Sequence, residues 1–211
     1  GSQADAWRQI VIFAALASIV VGALGAIGQN NLKRLLAYAS IASAGYLLLG
    51  IVALRTGSEG LNTDGYHAIL YYLAGYLFAV IAAFVVICQV SSEEKGEDLN
   101  MLAGLHRRSP LMATVLTLAV VSLAGIPPLA GFFGKFLLLK SVIAGAGMGA
   151  PYVTLIAVAL AGVVVSLYYY FGIIREIFWS TDRPDDNLEE KLPFELPWTA
   201  RVSLLACAVA I

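Results

Sequence analysis

Apolar stretches of membrane-spanning length alternate with short polar ones along the whole chain. They predict helices at about 7–28, 35–54, 66–90, 109–148 and 151–179, a surface loop at 180–197, and a sixth helix beginning at 198. Backbone polar groups in lipid must be satisfied within their own segment. The expected fold class is therefore an all-α integral membrane protein with six transmembrane helices. The first offers Gly22, Gly25 and Ala26, and the second Ser40, Ser43, Ala44 and Gly45, as small surfaces where helix backbones approach closely. In the third, His67 and Tyr71 stand four residues apart, as do Tyr72 and Tyr76, so each pair shares a helix face. Residues 91–108 set Glu93, Glu94, Glu97 and Asp98 against Lys95, Arg107 and Arg108, and read as an amphipathic connector at the surface. The last run stops at Ile211, short of the roughly 20 residues a span needs, so the chain is expected to be a piece of a larger protein cut inside its final helix.

One run does not fit a single helix. Residues 109–148 read SPLMATVLTLAVVSLAGIPPLAGFFGKFLLLKSVIAGAGM, and as one helix they would extend about 60 Å against a hydrocarbon core of about 30 Å. Either the run is one interrupted span, or it is two short spans turning at Pro127 and Pro128. Basic residues on the loops discriminate between these. With one crossing, Lys33, Arg34, Lys95, Arg107, Arg108, Arg175, Arg183, Lys191 and Arg201 share a side and Arg8 and Arg55 take the other. With two crossings the last four change sides and the bias disappears. A single broken span is therefore expected, with the loops holding Lys33, Lys95 and Arg183 facing the cytoplasm.

Composition agrees with a membrane protein: 60% of the 211 residues are hydrophobic, 13% are charged and the mean hydropathy is +0.83. The net charge of -1 gives no field for nucleic acid, and no nucleic-acid motif occurs. Cys88 and Cys207 lie inside apolar runs without metal-ligand spacing, so no metal site is expected. The polar opening GSQADAWRQ reads as a lead-in to the first apolar run, so a signal peptide is not expected in this stretch.

Against this background the interrupted span is the candidate site. Proline has no amide hydrogen and clashes with the carbonyl four residues back, so Pro127 and Pro128 release the carbonyls of Leu123 and Ala124 from the helix ladder. Gly125, Gly131 and Gly134 let the backbone turn there, and the ends of two half-helices would carry partial charges into the membrane. Lys135 follows seven residues after Pro128. A fixed charge at mid-bilayer costs roughly 2.5 to 3.5 kcal/mol or more, so a lysine placed there can gain and lose a proton, as a relay requires. The plainer alternative is a snorkelling lysine beside a kink, which suits Lys140 better than Lys135. Tyr168, Tyr169 and Tyr170 serve either as further relay groups or as interfacial anchors. His67 reads as an interfacial histidine, and Lys33 and Arg34 read as orientation-setting charges.

Two stretches, QNNLKRLLAYASIASAGYLLLGI at 29–51 and SLAGIPPLAGFFGKFLLLKSVI at 122–143, together with LAGYLF at 73–78 and SLYYYF at 166–171, closely resemble the antiporter-like membrane subunits of respiratory complex I. The lysine in GFFGKF looks like the subunit N branch of that family. The resemblance covers nearly the whole chain. It implies a fold of 14 transmembrane helices with two inverted five-helix repeats, of which residues 1–179 would be the second. It implies a role in proton translocation within a NADH:quinone oxidoreductase, without a redox centre, cofactor or catalytic residue of its own. Partners would be the other membrane subunits of complex I and the lipid bilayer, in a bacterial plasma (inner) membrane. Lys135 matches the broken-helix lysine of the family's second half-channel, and Lys33 the lysine that begins its tenth helix. Where the family often has Tyr-Ser-Ser-Ile, this chain reads Tyr38, Ala39, Ser40, Ile41 and lacks one hydroxyl. A cation/proton antiporter subunit of the same fold and a purely structural membrane subunit remain as alternatives.

Overall fold

A computed structural model describes residues 2–54, 63–94, 96–146, 149–179 and 197–211. Among the described residues there are eight α-helices: α1 (Ser2–Ile27), α2 (Leu32–Leu54), α3 (Thr63–Glu94), α4 (Leu105–Arg108), α5 (Pro110–Ala124), α6 (Ala130–Ala146), α7 (Ala150–Trp179) and α8 (Trp198–Ala210). A 3-10 turn at Leu99–Leu102 precedes α4. Four of the helices, α1, α2, α3 and α7, are long and apolar enough to cross a membrane. The surface loop expected at 180–197 lies, apart from Pro197, outside the described residues.

α1 and α2 form a close antiparallel pair because small residues meet backbone. A Cβ on Gly22 would run into the Ala42 amide and the Tyr38 carbonyl, and one on Gly45 into Ile19 and the Ala15 carbonyl. The run at 109–148 divides into α5 and α6, of 15 and 17 residues, separated by residues 125–129. Each half follows a different stretch of α3. α5 packs through Met112, Leu116 and Val120 into the cluster that holds Ala82, Val86 and Val90. Further back along α3, Gly75 faces Ala130 and Tyr72 faces Gly134. End to end, the two halves run antiparallel to α3 and traverse the bundle once.

The apolar interior is correspondingly in two parts. One cluster joins the start of α2, the later half of α3, α5, and the end of α7. The other joins α1, the later half of α2, the early turns of α3, α6 and the first half of α7. At the first cluster's end the linkers are clipped together: the Leu32 amide donates to the Glu97 carbonyl (2.8 Å) and the Leu99 amide to the Asn30 carbonyl (2.8 Å).

Candidate functional site

The chain breaks at the C-terminus of α5. Gly125 takes φ +84°, a left-handed conformation open to glycine at no steric cost. Its amide donates to the carbonyls of Val121 (3.2 Å) and Ser122 (2.9 Å), and the Ile126 amide also reaches Val121 (3.2 Å). The next two amides in the ladder would come from positions 127 and 128, both proline, so the carbonyls of Leu123 and Ala124 have no backbone donor. Lys135 fills the gap. From the second turn of α6 its Nζ reaches back to donate to the Leu123 carbonyl at 2.7 Å and the Ala124 carbonyl at 3.3 Å. The side chain is buried, with the residue 6% exposed.

α6 is brought close enough by glycine. A Cβ on Gly131 would collide with the Ser122 carbonyl, and one on Gly134 with Tyr72. The Gly131 amide donates to Ser122 Oγ at 3.1 Å, and the Ala130 amide to the Ile211 carbonyl at 2.9 Å. Pro127 and Pro128 themselves lie exposed at the edge of the break.

The ammonium position has an aromatic side and a hydroxyl side. Lys135 Nζ lies 5.1 Å from the centroid of the Tyr46 ring, a cation–π distance. Tyr46, whose hydroxyl donates to the Ala159 carbonyl at 2.7 Å, continues to Tyr72 and then to Tyr76 at ring separations of 6.5 and 6.1 Å. On the other side Ser166 Oγ donates to the Val163 carbonyl at 2.7 Å and lies 3.5 Å from the Ala124 carbonyl. Tyr169, one turn beyond Ser166 on the same face, packs its ring against Tyr170 with centroids 4.6 Å apart. A cavity of about 10 Å³, room for the centre of one water molecule, is walled by Ser122, Tyr72, Tyr76 and Gly131.

No carboxylate among the described residues pairs with Lys135. Its charge is held by carbonyls at the negative end of α5 and by the face of an aromatic ring. A proton can therefore leave the amine without stranding a buried counter-ion. That is the chemistry this arrangement offers.

Not every residue singled out from the sequence lies here. Tyr169 and Tyr170 turn inward, but Tyr168 is 69% exposed on the outer face of α7, because neighbours in a helix point about 100° apart. Lys33 is at the far end of α2, ion-paired to Glu97 at 2.8 Å. Lys140 and His67 line a separate pocket with Asp64 and Ser141. Conversely, the sequence reading misses Tyr46. Its signal is a hydroxyl pair in an apolar helix, with Ser43 three residues earlier on the same face.

Residues 2–164 match the family model described as NADH:quinone oxidoreductase/Mrp antiporter, TM. The chain belongs to this family. As a member of the NADH:quinone oxidoreductase/Mrp antiporter family it is an integral membrane protein, and the match takes in α1 to α6, and so Lys135, but ends before Tyr168. The chain is 43% identical over 181 residues to NADH-quinone oxidoreductase subunit N of Erythrobacter litoralis, covering 85% of this chain and 35% of that protein. It resembles a chain of respiratory complex I from Thermus thermophilus with bound aureothin, with a TM-score of 0.74 and 36% identity over 95% of this chain and 42% of the other. A chain of the Mrp complex from Dietzia sp. DQ12-45-1b shares the fold, with a TM-score of 0.76 at 20% identity over 96% of this chain and 43% of the other. The chain thus spans about a third of the length of the subunit N relative.

Proposed function

We propose that this chain forms the proton-translocating second repeat of a subunit N-type membrane subunit in the NADH:quinone oxidoreductase of a bacterial plasma membrane. Residues 1–179 constitute that repeat and 198–211 belong to the helix after it. The subunit carries no redox centre; electron transfer to quinone belongs to other subunits, and the neighbouring membrane subunits and lipid are its partners. The observation that carries the reading is a buried lysine whose hydrogen-bond acceptors are the two carbonyls orphaned by Pro127 and Pro128.

In this reading the ammonium of Lys135 rests on the Leu123 and Ala124 carbonyls and gives up one proton to a water or hydroxyl beside it. The neutral amine then takes a proton from the opposite side and returns. Ser166, Tyr169 and Tyr170 supply one wall of that path, and the small cavity at Ser122, Tyr72 and Tyr76 the other. Lys33, paired with Glu97, is the entry group at the end rich in basic residues. Tyr168, on the outer face, has no part in the relay.

The test is made in the intact complex. Proton-transfer groups contribute about 10²–10⁴-fold, so Lys135→Met should lower proton-coupled quinone reduction at least about tenfold. NADH oxidation by an artificial acceptor and complex assembly should persist. Lys135→Arg keeps a charge that cannot be released and should fail likewise. Unchanged pumping in the Met variant would end the proposal, as would full activity in Lys135→Leu, the outcome a purely structural subunit predicts. The shared fold of the Dietzia Mrp chain motivates a second reading, a cation/proton antiporter subunit. Sodium-dependent pH gradients in vesicles lacking the redox subunits would favour it.

A further inference from the structure

Along the outer face of α7, beside the α1–α2 loop, lies a groove of about 800 Å³. Val164, Leu167 and Phe171 make its wall apolar, while Gln29, Asn30 and Arg175 make its mouth polar. Trp179, 73% exposed, follows one turn beyond Arg175 at the end of the helix. At 1.5 Å per residue, Val164 and Arg175 are about 16 Å apart along the axis, close to the roughly 15 Å of one leaflet's hydrocarbon. Depth for depth the groove is graded like a phospholipid: tails, then phosphate, then an interfacial aromatic.

Charge selects among phospholipids. The groove opens at the end that also carries Lys33, Arg34, Arg107 and Arg201, the end that faces an anionic cytoplasmic leaflet. The ion pairs there join Lys33 to Glu97 and Arg108 to Glu93; among the described residues no carboxylate is paired with Arg175. A guanidinium offers a planar, two-pronged donor to phosphate, and the amides of Gln29 and Asn30 can add neutral donors.

We propose that this groove binds one anionic phospholipid, its phosphate on Arg175 and an acyl chain laid along α7 from Phe171 to Val164. Tyr169 lines the same groove from the inner side, so the chain also closes the lipid-facing wall of the hydroxyl cluster. Nothing in this depends on Lys135 carrying protons.

The test uses the full-length subunit in its intact complex, reconstituted in phosphatidylcholine vesicles doped with an acyl-diazirine phosphatidylglycerol or the matching phosphatidylcholine probe. Cross-links are mapped by peptide mass spectrometry. One basic residue near the surface gives a preference of about fivefold, so the α7 peptide should be labelled about fivefold more by the phosphatidylglycerol probe. Arg175→Gln should bring the two probes to parity and Arg175→Lys should keep the preference. Val164→Trp, which fills the groove and leaves its charge alone, should suppress labelling by both probes and covers the case in which Arg175→Gln does not assemble. Equal labelling by both probes in the wild type, a preference that survives Arg175→Gln, or undiminished labelling in Val164→Trp overturns the proposal. So does cross-linking of α7 to a neighbouring polypeptide in place of lipid, which would give the groove to a protein partner.

Discussion

Lys135 sits where two opposing free energies meet. Replacing it with Met leaves the buried Leu123 carbonyl without a donor and the Ala124 carbonyl with only Ser166 Oγ at 3.5 Å, at about 1–3 kcal/mol for a carbonyl left unpaired. The same change removes a charge whose burial costs several kcal/mol. The two effects offset, so Lys135→Met should unfold within about 2 kcal/mol of the wild type, read as a small shift in the thermal midpoint of the purified complex. Gly131→Ala should behave differently. Its Cβ would overlap the Ser122 carbonyl, and overpacking of that kind costs about 1–3 kcal/mol, so the midpoint should fall clearly. Which carbonyls lose their partners follows from the sequence alone, since a proline at 127 or 128 acts four residues back. That a lysine eleven or twelve residues later serves both is a tertiary fact, set by how tightly Gly131 and Gly134 let α6 approach. The tyrosine triplet illustrates the remaining gap. Consecutive helical residues cannot all face inward, but which two do depends on the rotation of α7, and nothing in SLYYYF fixes that.

Among the elements, the α1–α2 pair depends on the absence of side chains. Gly22→Leu would push a side chain into the Ala42 amide and the Tyr38 carbonyl, and should cost about 1–3 kcal/mol or block assembly, measurable as a loss of folded subunit in the membrane. Gly172 is the contrasting case. It lies within α7, and a Cβ there would meet nothing from the rest of the fold within 4 Å, so Gly172→Ala should raise stability by up to about 1 kcal/mol through helix propensity. Apolar run length makes α1, α2, α3 and α7 legible, because a helix in lipid has few other ways to satisfy its backbone. Their ends are less legible. α3 begins at Thr63 and continues to Glu94, past the last apolar residue, since a helix keeps its hydrogen bonds in the polar region as well.

At the scale of the molecule, a polar clip ties α2 to the linker after α3. The Lys33 ammonium, and after it the Asn31 amide, hold the Glu97 carboxyl below the usual glutamate range. A carboxyl depressed in the folded state adds stability at pH above its unfolded value of about 4.3, and that contribution is lost as the pH falls through the lower folded value. Exchange of the Leu32 and Leu99 amides, which bond across the clip, should therefore accelerate relative to intrinsic rates only on the acid side of the ordinary glutamate range. Glu97→Gln should abolish that dependence. This pairing was not legible in the sequence, where Lys33 and Glu97 stand 64 residues apart, the one reading as an orientation-setting charge and the other as part of a surface connector.

The two apolar clusters have a mechanical corollary. Each half of the broken span is rooted in a different one, α5 with the end of α7 and α6 with its beginning, and residues 125–129 are the backbone link between them. α2, α3 and α7 run unbroken through both clusters, so a tilt between them would bend those helices, whereas the broken span can yield at its joint. The Lys135 amine spans it from α6 to α5, so a shift at that joint would stretch or displace its bonds to the Leu123 and Ala124 carbonyls.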